Sequence, residues 1–456
     1  MTSLGTRRPS TPRRPGAPAT ARARSTSSKT PATTKQSRSK QPASKQSAST
    51  RAGGNAEQAQ HDAQGALSYY LIAGSSVLLV IIGVTMVFSA SIIDSMHGNE
   101  GNPYLGGQRQ IIFAIAGIVL GAIASRLPVA LYRKLAWPAV IAGLALQAAV
   151  YTPYGVYGGG NRNSLWIPGV NQIIQPAEFL KLGLALFLGL VLARKAHQLH
   201  DWRHVLVPGA LMAGVAALFV VLGGDLGTML VVVTLTVGAY FVAGLPMRWF
   251  AAAGVLGSGA LAFLLIAAPY RMDRIRFFLG MEDDPEVIAR LGYQVTHGLR
   301  ALGTGGVSGV GLGASREKWA YLPEAETDYI LAIIGEELGL LGTLVVILLF
   351  AALAVGLFRV IRRHRDPFVQ IATGGIAAWI LGQALINIGV VVNLLPVIGV
   401  PLPLVSAGGS SLLATLLALG IVLAFARDEP GARRAATSRP SVVARSLAVM
   451  GQGRRG

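Results

Sequence analysis

The side chains best placed to do chemistry lie in one stretch: Ser315-Arg316-Glu317-Lys318-Trp319-Ala320-Tyr321-Leu322-Pro323-Glu324-Ala325-Glu326-Thr327-Asp328-Tyr329-Ile330. It closes a polar segment and runs into an apolar helix whose first turns carry Glu336 and Glu337. Asp328 stands at the mouth of that helix. A carboxylate there can take the proton of an attacking hydroxyl. Its alternative role, shared with Thr327, is to cap the helix. The helix dipole lowers the pKa of such a group, while apolar walls and a like charge on the neighbouring Glu326 raise it. Asp328 precedes Glu337 by nine residues, about 13 Å along an ideal helix. That places it near the membrane surface, where a lipid headgroup would react, and away from the midplane.

Other candidates surround it. The segment 269–327 opens with Arg271, Arg274 and Arg276 and ends with Lys318. Arg recognises phosphate through a bidentate fork and Lys as a point charge; the alternatives are ordinary anionic headgroups or pairing with Glu282, Asp283, Asp284 and Glu286. The run Gly303 to Gly313 lacks the Gly-Lys-Ser/Thr ending of a phosphate-binding loop and reads as a close-packed turn. Glu178 and Lys181, just after the helix-start signal Gln175-Pro176, sit at i,i+3 and form an ion pair, a cavity wall, or both. Asp225, inside Gly223-Gly224-Asp225-Leu226-Gly227, is a turn former or a further polar wall. Asn161 to Ile167 brings Arg162 and Trp166, the latter an interfacial aromatic or a stacking surface for a sugar. The Pro-broken stretch Pro396 to Ser411 carries Ser406 and Ser410, whose hydroxyls suit close backbone approach in a membrane; a transporter's discontinuous helix would look the same.

The elements that must hold these residues are membrane helices. The chain is 52% hydrophobic and 13% charged, against about a quarter charged in soluble domains. Ten apolar stretches are long enough to span: about 67–90, 109–126, 134–152, 174–193, 204–223, 226–244, 248–268, 329–358, 368–395 and 403–426. The fold class is therefore an all-α integral membrane protein. Arg126, Arg133, Lys134, Arg194, Lys195, Arg203, Arg248, Arg359, Arg362, Arg363 and Arg365 fall in alternate loops, which sets them and both termini on the cytoplasmic side. The long segment 269–327 between the seventh and eighth spans is then extracytoplasmic, as are 153–173, Asp225 and 396–411; with little regular pattern, it reads as a functional loop or lid. No cysteine is present, which excludes disulfides and thiol chemistry. The net charge of +19 sits mostly in two tails, 1–66 and 427–456. Their composition reads as disordered, and their basic charge suits an anionic membrane surface better than nucleic acid.

Taken together, Asn161 to Trp166, Gln175-Pro176-Ala177-Glu178 with Lys181, Asp225-Leu226-Gly227-Thr228, Lys318 with Leu322-Pro323-Glu324, Thr327-Asp328-Tyr329-Ile330, Gly335-Glu336-Glu337-Leu338-Gly339 and Pro396 to Ser411 resemble the SEDS family (shape, elongation, division, sporulation). They occur in the family's order across 67–426. The long basic N-tail and Ser406-Ala407-Gly408-Gly409 are more similar to its division members than to its elongation members. Ala177, Gly224, Glu326 and Tyr329 depart from the usual Ser, Pro, His and Phe, and none of these removes the presumed acid-base residue. The resemblance implies a peptidoglycan glycosyltransferase in septal wall synthesis. Its substrate would be lipid II, polymerised at the outer face of the cytoplasmic membrane with Asp328 as general base. It implies substrate contacts from Arg162, Trp166, Glu178, Lys181, Asp225, Arg271, Arg274, Arg276, Lys318, Glu336, Ser406 and Ser410. It also implies a class B penicillin-binding protein (a transpeptidase) and other division proteins as partners, and a divalent cation, Mg²⁺ or Mn²⁺, since pyrophosphate must leave. A lipid II flippase and a non-catalytic scaffold for the transpeptidase are the rival readings of the same features.

Overall fold

A computed structural model describes residues 46–97, 104–158, 161–167, 172–266, 269–319 and 321–429. The chain divides into a short unit, Met1–Gly53, and a second, Gly54–Gly456, which holds the helical bundle. The tails read as disordered fall largely outside the described residues, but 46–66 are helical, as the first part of the helix Gln46–His97.

Helix α1 (Gln46–His97) contributes the apolar span Leu67–Ile92. There follow α2 (Leu105–Arg126), α3 (Val129–Ala149) and α4 (Pro176–Lys195). A short α5 (Trp202–Val205) leads into α6 (Leu211–Leu222), with α7 (Leu226–Val242) and α8 (Met247–Ile266) behind it. Nine helices among the described residues are long and apolar enough to cross a membrane. The exception among the expected segments is α7, apolar but only 17 residues long. α4 is buried on almost every side, from Pro176 to Leu192, which is why it is apolar all round.

The segment 269–327 is not the irregular loop its composition suggests. It folds into α9 (Pro269–Phe278) and α10 (Pro285–Gly305) before a run of turns. The α10 start was legible: Asp284 caps it by accepting from the Glu286 N–H (2.9 Å), with Pro285 in the first turn. Gly298 and Gly305 let this helix approach Tyr329 and the Gly335 backbone more closely than a Cβ would allow.

The span that follows Asp328, α11 (Ile330–Arg363), is broken at Gly339, whose φ is 69°. The glycine-rich run repairs the break. Val310 and Gly311 N–H donate to the Glu336 and Glu337 carbonyls (2.9 and 3.0 Å), and Leu340 N–H donates to the Gly306 carbonyl (2.9 Å). Backbone groups freed inside an apolar helix must find such partners. A side chain at Gly339 would meet the backbone of Gly309 and Val307, so the turn read from Gly303 to Gly313 is indeed close-packed. The two remaining spans are α12 (Pro367–Val391) and α13 (Gly409–Arg427).

A small sheet went unforeseen. Strands β1 (Gly155–Gly158), β2 (Asn161–Ile167) and β3 (Gln172–Ile174) form an antiparallel meander between α3 and α4, with Trp166 opposite Ile173. Its pairing satisfies the backbone of a segment too glycine-rich to show a strand pattern. Alternation along β2 buries Asn163 and Leu165 and leaves Ser164 and Trp166 to the opposite face.

Candidate active site

Asp328 lies on the wall of a cavity of about 670 Å³. Distant elements build it: Arg109 and Phe113 come from α2, Ser164 and Trp166 from β2, Gln172 to Ile174 from β3, Thr327 and Asp328 from the turn before α11, and Ser410 and Ser411 from the start of α13. A second chamber of about 310 Å³ is lined by Asn161, Asn163, Glu178, Lys181, Asp225 and Gln383. The two share Ser164, Gln175, Glu324 and Pro401 as lining residues, so the acidic turn and the ion pair of α4 belong to one polar interior.

The backbone around Asp328 is held from α12. Asn387 Nδ2 donates to the carbonyls of Asp328 (2.7 Å) and Val400 (2.8 Å). One turn earlier, Gln383 donates to the Pro401 carbonyl (2.9 Å) and accepts from Lys181 Nζ (3.3 Å) and Trp379 Nε1 (3.0 Å). These two amides, four residues apart on an apolar helix, pin the segment 396–405 and the turn that carries Asp328 together. The sequence signal existed, since paired amides in a membrane helix rarely face lipid, but it was not read.

Asp328 does not cap α11. Tyr329 occupies that position and no side chain accepts a hydrogen bond there. The Asp328 carboxyl accepts no hydrogen bond among the described residues. Burial raises its pKa to about 7; the nearby Glu324 carboxylate pushes the same way, the Arg274 guanidinium opposes it, and Asp225 adds a smaller upward push. The like charge is thus Glu324, and Glu326 is not among the groups that shift it. Glu324 has a left-handed backbone (φ 55°), strained for a residue with a Cβ. Its carbonyl accepts from Thr327 and Tyr329 N–H (3.2 and 3.1 Å), on either side of Asp328, and its carboxylate accepts from the Thr327 hydroxyl (2.6 Å).

In the second chamber Lys181 Nζ bonds Glu178 Oε1 at 2.8 Å and lies 4.6 Å from the Trp379 ring centre. The other Glu178 oxygen is buried without a hydrogen-bond partner among the described residues. Asp225 caps α7 by accepting from Thr228 N–H and Oγ1 (both 2.7 Å). Burial raises its pKa; the Thr228 hydrogen bonds and Lys181 work against that, while Glu178 adds to it. Asp225 is therefore both turn former and cavity wall.

Several expected substrate contacts are placed elsewhere. Lys318 is buried, with Nζ bonded to Glu337 Oε1 (2.8 Å) and Ser89 Oγ (2.9 Å), and is not free to hold a phosphate. Glu336 is equally buried and accepts from the Ser315 hydroxyl and from Arg316 N–H (3.0 Å); it anchors the turn and lines neither chamber. Ser406 accepts from Leu402 N–H (2.8 Å) and shapes a bend, whereas Ser410 does reach the cavity and accepts from Gln175 N–H (3.1 Å). Arg162 donates to the Thr152 carbonyl (2.9 Å) and stacks over Tyr157, bracing the sheet. Of the arginines on α9, Arg274 donates to the Val397 carbonyl (3.1 Å) close to Asp328, Arg276 is exposed, and nothing is described of the Arg271 side chain. The cation that does line the main cavity is Arg109, which the sequence reading passed over because it opens an ordinary apolar helix.

The chain matches the sequence profile of the "Cell cycle protein" family, FtsW/RodA/SpoVE, over residues 69–430. It is 36% identical over 365 residues to the probable peptidoglycan glycosyltransferase FtsW of Mycobacterium tuberculosis, covering 80% of this chain and 69% of that one. It is 35% identical to stage V sporulation protein E of Bacillus subtilis, covering 77% and 95%. Among solved structures, it resembles a chain from a study of how a peptidoglycan synthase complex coordinates polymerization and crosslinking (TM-score 0.61, 27% identity, covering 79% of this chain and 97% of that one). It also resembles the rod shape determining protein RodA of Thermus thermophilus (TM-score 0.55, 26% identity, covering 79% and 97%).

Proposed function

The chain belongs to the FtsW/RodA/SpoVE family of cell cycle proteins, and from that membership and the cavity around Asp328 we propose how it works as a multi-pass membrane enzyme. It is a peptidoglycan glycosyltransferase. Its substrate is lipid II, polymerised at the division septum. Asp328 takes the proton of the acceptor sugar's 4-hydroxyl as that oxygen bonds to the donor's anomeric carbon; the bond from that carbon to the pyrophosphate oxygen breaks, and undecaprenyl pyrophosphate leaves. Arg109, exposed to the cavity, and Arg274 are the cations best placed to receive the phosphates, and Trp166 offers an aromatic face to sugar or lipid. The observation that carries this reading is a carboxyl raised to about 7 on the wall of a cavity that also holds a cation. That is the poise a general base needs near neutral pH.

A crosslinking partner of the class B penicillin-binding type is supported by the solved neighbour, which comes from a synthase complex that couples polymerization to crosslinking. A divalent cation, Mg²⁺ or Mn²⁺, remains part of the proposal as a companion of the pyrophosphate. Among the described residues no three His, Asp or Glu side chains converge to hold a metal, and no step here runs through one.

The test is polymerisation of lipid II by the purified protein with its partner transpeptidase, resolved on a gel. Glycan strands are the expected product. Movement of lipid II between leaflets with no polymer would favour the flippase reading instead. In the same assay the rate should rise with pH through about 7, because the base works only when deprotonated. Glu324→Gln removes the like charge, so the midpoint should move to lower pH; an unmoved midpoint would detach Glu324 from Asp328.

A further inference from the structure

At the end of the bundle opposite the cavity, two separate connectors meet in one surface. α4 runs from Pro176 at the chamber to Lys195, and α7, capped by Asp225 in the same chamber, runs from Leu226 to Val242, so the connectors that follow them lie together at the far end. Arg248, at the start of α8, donates to the His200 carbonyl (2.9 Å), and Tyr240 on α7 donates to the Val205 carbonyl (2.5 Å). The surface these bonds create carries two stacked guanidinium groups: Arg203 lies 5.6 Å from the Trp202 ring centre and Arg248 5.5 Å from that of Trp249. Beside them Trp202, Leu206 and Val207 are about half exposed, at 52%, 46% and 54%.

We propose that this surface is a binding site for the phosphate of an anionic phospholipid headgroup. Stacking on an indole fixes the plane of a guanidinium: Arg203 keeps its N–H edge for the bidentate contact a phosphate accepts, and Arg248, one of whose amino groups donates to the His200 carbonyl, has its remaining N–H groups for it. Exposed tryptophan and aliphatic side chains next to it match the boundary between headgroup and acyl chain. Cations outnumber acids here: Asp201 is the one carboxylate in these connectors, and it caps α5 by accepting from Arg203 N–H (3.1 Å). Other cations near this end are already used within the protein. Arg133 pairs with Asp366 and Arg363 with Glu429. Arg203 and Arg248 have no carboxylate partner among the described residues.

Native mass spectrometry of the full-length protein, released from nanodiscs of phosphatidylglycerol and phosphatidylcholine, tests the site. The wild type should retain phosphatidylglycerol in clear preference. Arg203→Gln with Arg248→Gln should lower that preference about thirtyfold, in line with the loss of two basic residues at an anionic surface. Arg362→Gln, which removes a cation that packs on Phe358, should leave it unchanged, and the double Arg→Lys variant should fall between. All variants should melt within a few degrees of the wild type, since the altered side chains are exposed and the one bond lost is the Arg248 contact with the His200 carbonyl. The proposal is overturned if the wild type shows no preference, if the double Gln variant keeps it, or if Arg362→Gln loses as much.

Discussion

Asp328→Asn should reduce glycan polymerisation at least about 100-fold, the lower end of what a positioned general base contributes, and the folded protein should be no less stable for it. The substitution preserves shape and replaces one carboxyl oxygen by an amide nitrogen that cannot take the proton. The Asp328 carboxyl accepts no hydrogen bond among the described residues, so none is broken. What disappears is a carboxylate that burial, Glu324 and Asp225 all hold above its ordinary pKa. A group with a raised folded pKa stabilises most below its unfolded pKa and loses that contribution as pH rises towards about 7. At working pH the ionised side chain is a strain on the fold, and Asn relieves it. The expected pair of results is therefore polymer lost on the gel and an equal or higher melting temperature in detergent. Polymer from the variant would refute the base assignment; loss of both polymer and melting transition would mean that Asp328 holds the fold.

Why the sequence pointed so directly to Asp328 and misplaced its neighbours follows from the distances involved. Asp328, Glu178, Lys181 and Asp225 are charges within or beside apolar runs, and such charges are conspicuous because they need a reason to be there. The spans are legible for the same cause. Which cation faces the cavity depends instead on how distant helices cross. Arg109 precedes Asp328 by more than two hundred positions, and no local pattern marks it. Lys318 lies only ten residues from Asp328, yet the turns between them direct it into the bundle. The break at Gly339 was hidden because Gly-Glu-Glu-Leu-Gly reads locally as helix; the left-handed φ is imposed by Gly306 to Gly311 packing against it. The sheet was missed because its strands are held by one another and by the Gly223 carbonyl, which accepts from Arg162 N–H (2.8 Å), and not by any alternation in the sequence.

Lys318 yields the largest expected loss of stability. Its side chain is 4% exposed and that of its partner Glu337 0%, and together with Ser89 they join α1, the turn before Asp328, and the first segment of α11. Removing one member of such a pair leaves a buried charge without compensation and costs about 3–5 kcal/mol. Lys318→Ala should accordingly lower the melting temperature sharply and take activity down with it. The double substitution Lys318→Met with Glu337→Leu replaces both charges by apolar groups of similar volume and should recover most of that stability, as buried pairs generally allow. Activity then separates the two roles. If Lys318 only fastens the turn that presents Asp328, the double variant polymerises lipid II with a nearly normal KM. A stable double variant with a KM raised tenfold or more would show that Lys318 leaves its ion pair to meet the phosphates, and the turn would have to move for it to do so.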